Sequence, residues 1–334
     1  MDVFLQQVIN GLVQGSMYAL IALGYTMVYG IINLINFAHG EVLMVAALTS
    51  WSIIALMQDA TPGLPGWLML LISLVIASIV AASLNFAIEK IAYRPLRNSP
   101  KLAPLITAIG VSILLQTLAM IIWKPNYKPY PTLLPSEPMA VAGAVITPTQ
   151  LMILCVTAIS LAVLMWVVNA TRLGRAMRAT AQNPRVAALM GVKPDTVISA
   201  TFVMGAVLAA IAGVMWASNY GTVHHHMGFL PGLKAFTAAV FGGIGNLPGA
   251  VVGGLLLGLI GTDVNSGVAR FSFDIPELTD GIGFVVIAMG VFGYGEIISN
   301  LSQPEEDRQV YTAKVQGLFP TLTDIKLMIP AILR

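Results

Sequence analysis

The residues best suited to act on a solute lie in the string INFAHGE, between two apolar blocks. This string contains Asn36, His39 and Glu41, and ionisable groups near membrane depth are costly and often mark a transport pathway. The alternative is a capped turn at the membrane surface, in which the three side chains satisfy helix ends. Periodicity does not determine how deep the turn lies, and we favour the capped turn. Direct substrate contact by these residues is therefore a hypothesis.

A second candidate is the string KAFTAAVFGGIGNLPGAVVGGLLLG at residues 234–258. It is long enough to cross a bilayer, which takes about 20 apolar residues, but its middle lacks helical hydrogen bonds. We interpret it as an interrupted span whose freed backbone groups, at Gly242, Gly243, Gly245 and Asn246, line a substrate path. Pure helix packing is the alternative, because glycines four residues apart let helices approach closely.

No constellation in the sequence indicates catalysis or a metal site. His224, His225 and His226 are adjacent, so their side chains diverge on a regular helix or strand and do not converge on one metal. The single cysteine, Cys155, lies in an apolar run and is interpreted as a structural thiol. We therefore assign no catalytic residue and no metal, and we expect that the protein is not an enzyme.

The basic string RATAQNPRVAALMGVKPD carries the signals of a short helix. Asn183 suits the N-cap, Pro184 the first helical position, and Gly191 the position past the C terminus. A helix from Pro184 to Met190 is predicted, and it would form a compact knob for a cytoplasmic partner. An ordinary solvated loop whose charges set the topology is equally compatible with these residues.

The elements that must position these residues are apolar helices. The composition is 57% hydrophobic and only 10% charged, against about 25% charged residues in soluble globules. The predicted fold is all-α, a polytopic integral membrane protein of about eight transmembrane helices with one broken, glycine-rich helix. The apolar blocks lie at about residues 8–32, 42–57, 67–88, 102–123, 150–168, 197–217, 234–258 and 281–298.

Two basic clusters orient these helices. Because positive residues remain inside, both clusters are predicted to be cytoplasmic, with the N terminus and the proline-rich loop at residues 124–149 outside. The orientation of the last two crossings is less constrained than these loops. The clusters are Lys90, Arg94, Arg97 and Lys101, and Arg172, Arg175, Arg178, Arg185 and Lys193.

Residues 1 to about 257 resemble the permease subunits of ABC importers for branched-chain amino acids, specifically the LivH branch. Four strings in order carry the resemblance: NGLVQGSMYALIALGYTMVYGIINLINFAHGE, IEKIAYRPLRNSPKLAPLITAIGVSILLQ, GRAMRATAQNPRVAALMGV and GLKAFTAAVFGGIGNLPGAVVGG. The resemblance implies a multi-pass protein of the bacterial inner (plasma) membrane that forms a translocation path. Its implied partners are the lipid bilayer, a second homologous permease, two cytoplasmic ATPases and a periplasmic amino-acid-binding protein, and no nucleic acid.

The same resemblance assigns the predicted short helix to the coupling helix that docks on an ATPase. The residues concerned are Asn183, Pro184, Arg185, Ala187, Ala188, Leu189 and Gly191. The chain has no G-x-x-x-x-G-K-[ST] loop. No cofactor is therefore expected in this chain, and ATP and Mg are expected on the partner ATPases. Related permeases move branched-chain amino acids, urea, amides and similar solutes, so the exact substrate stays open.

The segment from about residue 258 departs from that pattern. It is similar to an internal part of the large membrane subunit of tripartite tricarboxylate transporters, through the strings GTDVNSGVARFSFDIPELTDGIGF, AMGVFGYGEII and KVQGLFPTLTDIKLMIPAILR. Nine of the fifteen acidic residues lie in this segment. We therefore predict a boundary between a permease domain, residues 1–257, and a foreign-looking segment, residues 258–334, with one further span and a polar tail. The alternative functions are a secondary or tripartite carboxylate transporter membrane subunit, or a non-functional hybrid.

Overall fold

The computed structural model describes residues 2–301 except 33, 35, 62, 98, 100–101, 136, 142, 263–266, 295–296 and 299–300. The predicted polar tail, with its short apolar run at residues 327–333, lies outside the described residues. The chain divides into two compact units, Met1–Met289 and Gly290–Arg334. In the second unit the structure describes residues 290–294, 297–298 and 301. The packing reported below belongs to the first unit.

The described residues form an all-α fold, which confirms the predicted class. The helices are α1 (Asp2–Ile32), α2 (His39–Ala60), α3 (Gly66–Ile88), α4 (Leu102–Trp123), α5 (Pro148–Ala170), α6 (Arg172–Gln182), α7 (Pro184–Leu189), α8 (Pro194–Tyr220), α9 (Phe229–Phe241), α10 (Leu247–Leu259), α11 (Pro276–Thr279) and α12 (Phe284–Ala288). A π-helical turn, Glu89–Tyr93, and a 3₁₀ turn, Arg94–Leu96, extend α3, and a second π-helical stretch, Met289–Tyr294, follows α12.

Three short antiparallel strand pairs accompany the helices. Strand β1 (Lys128–Pro129) pairs with β4 (Thr222–Val223), and β2 (Met139–Val141) pairs with β3 (Ala144–Ile146). The third pair joins β5 (Gly261–Thr262) to β6 (Ala269–Arg270). Strand β1 follows α4 and strand β4 follows α8, so their pairing joins the C-terminal end of α4 to the C-terminal end of α8. We call this the opposite end of the bundle, and the end that carries Arg94 and Arg97 the basic end.

Six helices, α1 to α5 and α8, are long and apolar enough to cross a membrane, in agreement with the first six predicted spans. The second span was predicted at residues 42–57, which is short for a membrane crossing. In the structure, α2 is longer, because it begins at His39 and ends at Ala60. In the most apolar window of each helix, 83% of α1 and 67% of α8 is buried, against 17% of α5 and 22% of α4. Helices α1 and α8 therefore form the centre, and α4 and α5 lie at the periphery.

The seventh predicted span is instead a helical hairpin. Helices α9 and α10 have 13 residues each and pack antiparallel, since a methyl group on Gly242 would lie 2.0 Å from the carbonyl oxygen of Gly249. The chain reverses in the break because Gly243 and Gly245 take φ values of 88° and 94°, which glycine adopts freely. Asn246 then starts α10 by accepting a hydrogen bond from Gly249 N at 3.3 Å.

The eighth predicted span is helical over most of its described residues. In the segment at residues 281–298, α12 and the π-helical stretch run from Phe284 to Tyr294, and Ile297 and Ile298 are again helical. Among the described residues, the fold therefore has six long helices, and a hairpin of two 13-residue helices takes the place of the seventh predicted span. Within the first unit, residues beyond 258 pack on the preceding helices: Phe284 lies 5.6 Å from the ring of Phe236, and Arg270 donates to Gln14.

Helix α10 packs along α1 through small residues. A methyl group on Gly258 would lie 2.2 Å from the backbone of Gly15, and one on Gly254 would lie 2.6 Å from that of Ala19. Spacing of four residues places both glycines on one helix face. This contact is the close helix packing that glycines four residues apart allow, which was the alternative interpretation of the glycine-rich string.

We predict that Gly258→Ala destabilises the protein by about 1–3 kcal/mol, because the added methyl group meets backbone that has no rotamer to change. Thermal unfolding in detergent measures the loss as a fall in Tm. Gly110→Ala on α4 is the matched control, because open space surrounds that position and alanine favours a helix. If Gly258→Ala unfolds at the wild-type temperature, the close contact of α1 with α10 is contradicted.

Candidate functional site

The turn before α2 is closed by Asn36. Its Oδ1 accepts hydrogen bonds from Ala38 N at 3.1 Å and from the Tyr93 hydroxyl at 2.9 Å. Asn36 thus has the local role expected of a capping residue, and it also joins the start of α2 to the end of α3. His39 and Glu41 do not share this role, because both lie within α2 and are buried at 1% exposure.

His39 fills a gap between α1 and α8. A methyl group on Gly24 would lie 2.2 Å from His39 Nε2, and one on Gly205 would lie 3.6 Å from Cε1. The ring also contacts Tyr25 edge to face, with 4.9 Å between centroids. Gly205 is near the middle of the 27-residue α8, so His39 lies deep in the bundle, away from the helix ends that the capped-turn interpretation assigned to it.

Glu41 is bound by α4. Its Oε1 accepts hydrogen bonds from Gln116 Nε2 at 2.6 Å and from Ser112 Oγ at 3.2 Å. Its second oxygen, Oε2, is buried and has no hydrogen-bond partner among the residues that the structure describes. Ser112 is at the middle of the 22-residue α4, so a carboxyl group is held at mid-depth with half of its acceptor capacity unused.

Beside this carboxyl group is a cavity of about 560 Å³. Helices α1, α2, α4, α9 and α12 contribute to its wall. Polar side chains enter from Tyr25, Ser112, Gln116 and His226, and apolar ones from Phe37, Ile109, Ile113, Phe229, Leu233 and Phe284. Gly40, Gly228 and Gly232 complete the wall with backbone. The cavity is thus mostly apolar with a polar strip against Glu41, a lining that suits a small molecule with an aliphatic part.

Sequence patterns did not identify Ser112 and Gln116. A signal was present, because the two polar residues are four apart in the apolar string GVSILLQ and therefore share one face of α4. Their importance depends on Glu41, which comes from a helix 71 residues earlier in the chain. Only the tertiary contact shows that the shared face points at a buried carboxyl group.

The residues of the glycine-rich break do not line the large cavity. Gly242 packs on Gly249, and Gly245 approaches Gly30, near the end of α1. Gly245 also borders a separate cavity of about 140 Å³ together with Met177 and Arg178 of α6. The predicted path residues therefore fall into two regions. Asn36, His39 and Glu41 are sequence neighbours of the lining residues Phe37 and Gly40 but do not themselves line the large cavity. Gly242, Gly243, Gly245 and Asn246 form the hairpin turn at the basic end.

The three histidines lie in the loop between β4 and α9. His226 reaches the large cavity, whereas His224 stacks near the Tyr127 ring, with 4.5 Å between centroids. Burial and the neighbouring histidines lower the pKa of His224 and His225, so both imidazoles favour the neutral form. Among the described residues, no group of three His, Cys, Asp or Glu side chains is placed to hold a metal ion.

The predicted knob at the basic end forms as α7. Asn183 Oδ1 accepts hydrogen bonds from Arg185 N at 3.0 Å and Val186 N at 3.1 Å, and Gly191 has a φ of 84°. The helix ends at Leu189, one residue before the predicted end. Ala187 is buried, whereas Leu189 and Met190 are 87% and 80% exposed. Helix α7 thus presents an apolar tip to its surroundings.

An ionic network joins the end of α3 to the start of α8, close to α7. Arg97 pairs with the buried Glu89 and, at 2.5 Å, with Asp195 Oδ1, and Arg94 also pairs with Asp195. The second oxygen of Glu89 accepts from Ser199 Oγ at 2.6 Å. Every charge in the network has a partner of opposite sign, so the two helix ends are held together.

We predict unequal effects from removing the two carboxylates of this network. Glu89→Ala should cost about 3–5 kcal/mol, because the buried pair leaves a largely enclosed Arg97 charge without its inner partner. Asp195→Ala should cost about 0–1 kcal/mol, because its side chain is 51% exposed and solvent screens the pair. Thermal unfolding of both purified variants tests the difference, and equal losses would contradict it.

Comparison with known proteins gives a consistent family. The family described as "Branched-chain amino acid transport system / permease component" matches residues 7–289. The match therefore continues past residue 257, where the resemblance was expected to end. No solved structure matches the chain.

Curated relatives cover most of the chain. The high-affinity branched-chain amino acid transport system permease protein BraD of Pseudomonas aeruginosa is 46% identical over 272 residues, which cover 78% of this chain and 87% of BraD. The corresponding LivH protein of Escherichia coli K12 is 46% identical over 263 residues, covering 77% of this chain and 84% of LivH. An uncharacterized 52.8 kDa protein of Agrobacterium vitis is 38% identical over 130 residues, covering 38% of this chain and 26% of that protein.

Proposed function

The chain belongs to the family of permease components of branched-chain amino acid transport systems, and we propose that it is one membrane subunit of an ATP-driven importer for branched-chain amino acids. The observation that carries this proposal is the conjunction of a large, mostly apolar cavity among buried helices with an exposed apolar helix tip at the basic end. A permease subunit of this kind needs a cavity through which the solute passes. It also needs an exposed surface on which the ATPase can bind and transmit its movement.

We further propose that the complete importer contains a second homologous permease, two cytoplasmic ATPases, which hold ATP and Mg, and a periplasmic binding protein, in a bacterial inner membrane. The basic end then faces the cytoplasm, in accordance with the positive-inside rule. Closure of the ATPases on nucleotide moves α7, and the ionic network passes that movement to α3 and α8. The large cavity opens alternately to the two sides.

Helix α7 is suited to the coupling role. Its buried Ala187 attaches it to the bundle, while Val186, Leu189 and Met190 expose apolar surface that a groove on a partner would bury. Arg185, beside them, supplies a positive charge. Burying such exposed apolar side chains in a partner removes apolar surface from water, which favours association.

The function is tested by leucine uptake into proteoliposomes that contain the chain, the second permease and the two ATPases, with binding protein outside. We expect uptake that requires ATP inside and is blocked by vanadate. Leu189→Asp should abolish it and reduce ATPase co-purification at least about tenfold, because a charge replaces a central apolar contact.

The matched control for Leu189 is Leu56→Asp, which changes an exposed leucine near the end of α2 that lies away from the basic end. This variant should keep its ATPases. Uptake driven by an ion gradient without ATP would contradict the proposal and indicate a secondary carrier. Normal coupling in Leu189→Asp would exclude α7 as the docking element.

We also propose that the segment from about residue 258 derives from a second gene. The support for a separate origin is compositional, because nine of the fifteen acidic residues lie in this segment. The family match runs on to residue 289, so the part of the segment before that point also fits the permease family.

Long single-molecule reads of the source DNA across codons 240–300 and into the neighbouring genes test the separate origin. The proposal expects that some molecules carry an ordinary permease ending beside genes for a second permease and two ATPases, or that a continuous junction joins two recognisable genes. A continuous reading frame whose every homologue carries the same C-terminal segment would refute it.

A further inference from the structure

We infer that Glu41, with Ser112 and Gln116, makes the large cavity a selectivity site for the ammonium group of an aliphatic amino acid. This inference rests on the proposed function, and it goes further by naming the chemical group that the permease itself recognises. It would let the membrane subunit, in addition to any binding protein, discriminate amino acids from uncharged solutes such as urea and amides.

The first support is the unused acceptor capacity of Glu41. Both hydrogen bonds from α4 go to Oε1, and Oε2 has no hydrogen-bond partner among the described residues although Glu41 is only 1% exposed. A carboxyl group at mid-depth in an apolar bundle is costly, and it persists where it binds something. An ammonium group supplies up to three donors and the opposite charge, and such charge-assisted hydrogen bonds are the strong ones.

The second support is the position of the carboxyl group relative to the cavity. Its two donors, Ser112 and Gln116, line the cavity, and so does Gly40, its neighbour in α2. Glu41 therefore lies directly behind one strip of the wall. Because Gln116 donates through Nε2, its amide oxygen Oε1 is left as a further acceptor for a cationic ligand.

The third support is the start of α9, which lies next to this strip. A methyl group on Gly40 would be 2.5 Å from the carbonyl oxygen of Gly228, so the two backbones touch there. No side chain of the described residues caps α9, and Gly228 and Phe229 both line the cavity. Phe229 N donates to His226 O at 3.3 Å and Pro231 has no N–H, so the first-turn donor left for a ligand is Leu230 N. A helix N terminus attracts carboxylates. An acceptor for ammonium and a site for carboxylate are thus adjacent, as they are in an α-amino acid.

The remaining wall suits the rest of such a ligand. Ile109, Ile113, Phe229, Leu233 and Phe284 supply the apolar surface that an aliphatic side chain would contact. The cavity volume of about 560 Å³ is within the range of about 300–1,000 Å³ found for small-molecule sites. The polar strip orients the charged end of the ligand, and the apolar wall accepts its other end.

The test uses the complete importer in proteoliposomes with radiolabelled leucine at a concentration below saturation. Glu41→Gln and Gln116→Leu should each lower leucine uptake at least about tenfold while the complex assembles and still hydrolyses ATP, because the ammonium contact is lost. Thr117→Ala should transport normally, since Thr117 is next to Gln116 on α4 and, among the described residues, its hydroxyl bonds only to Ile113 O of its own helix.

A second pair of variants tests whether the solute occupies the cavity volume, independently of the charge of Glu41. Ile113→Trp should block uptake by filling the cavity, whereas Leu114→Trp should not, because Leu114 does not line it. The two residues are neighbours with similar exposure, 57% and 55%, so a general effect of bulk on α4 would affect both. If Glu41→Gln fails to assemble, Gln116→Leu and Ile113→Trp decide the question.

One outcome of these experiments supports the selectivity site, and two outcomes contradict it. Loss of uptake in Gln116→Leu and Ile113→Trp, with normal uptake in both control variants, supports the selectivity site. Wild-type uptake in those two variants overturns it and leaves the proposed importer intact. No ATP-dependent leucine uptake by the wild-type complex overturns the proposed function and, with it, this inference.

Discussion

The close approach of helix backbones at glycine is the constraint on which the rest of this structure depends. In an apolar bundle the hydrophobic effect does not hold helices together, so packing contacts and interhelical hydrogen bonds must. Gly258 lies on Gly15, Gly249 lies on Gly242, and Gly228 lies on Gly40, each at a distance that a side chain would prevent. These three contacts attach the α9–α10 hairpin to α1, to itself and to α2.

That attachment determines where polar groups can be placed. The contact of Gly40 with Gly228 brings the start of α9 to the start of α2, and the cavity lies beside this junction. Glu41 follows Gly40 in sequence and points toward α4, where Ser112 and Gln116 receive it. A carboxyl group is thereby retained at mid-depth, because one of its oxygens is satisfied and the groups around it are held by backbone contacts with little freedom to relax.

The sequence allowed prediction of the helical class, the first six spans and the short helix α7, because each depends on local signals. Apolar length defined the spans, and Asn183, Pro184 and Gly191 defined the ends of α7 within one residue. The hairpin was not predicted, since an interrupted span and a reversal have the same composition. The difference lies in the positive φ angles of Gly243 and Gly245, which a glycine-rich string permits without requiring. The partners of Glu41 were missed because they come from a distant helix.

The large cavity and the α7 tip lie on different parts of the bundle, so an importer of this design needs a rigid connection between them. Helices α3 and α8 provide it. At the basic end they are joined through Glu89, Arg97 and Asp195, and Asn85 donates to Phe202 O at 2.7 Å one turn further in. Helix α8 then continues past Gly205, which faces His39, two residues before Glu41. Under the proposed coupling role of α7, its displacement would reach the wall of the cavity through these paired polar groups and close-packed glycines. If either kind of contact were lost, movement of α7 would no longer change the cavity that holds the solute.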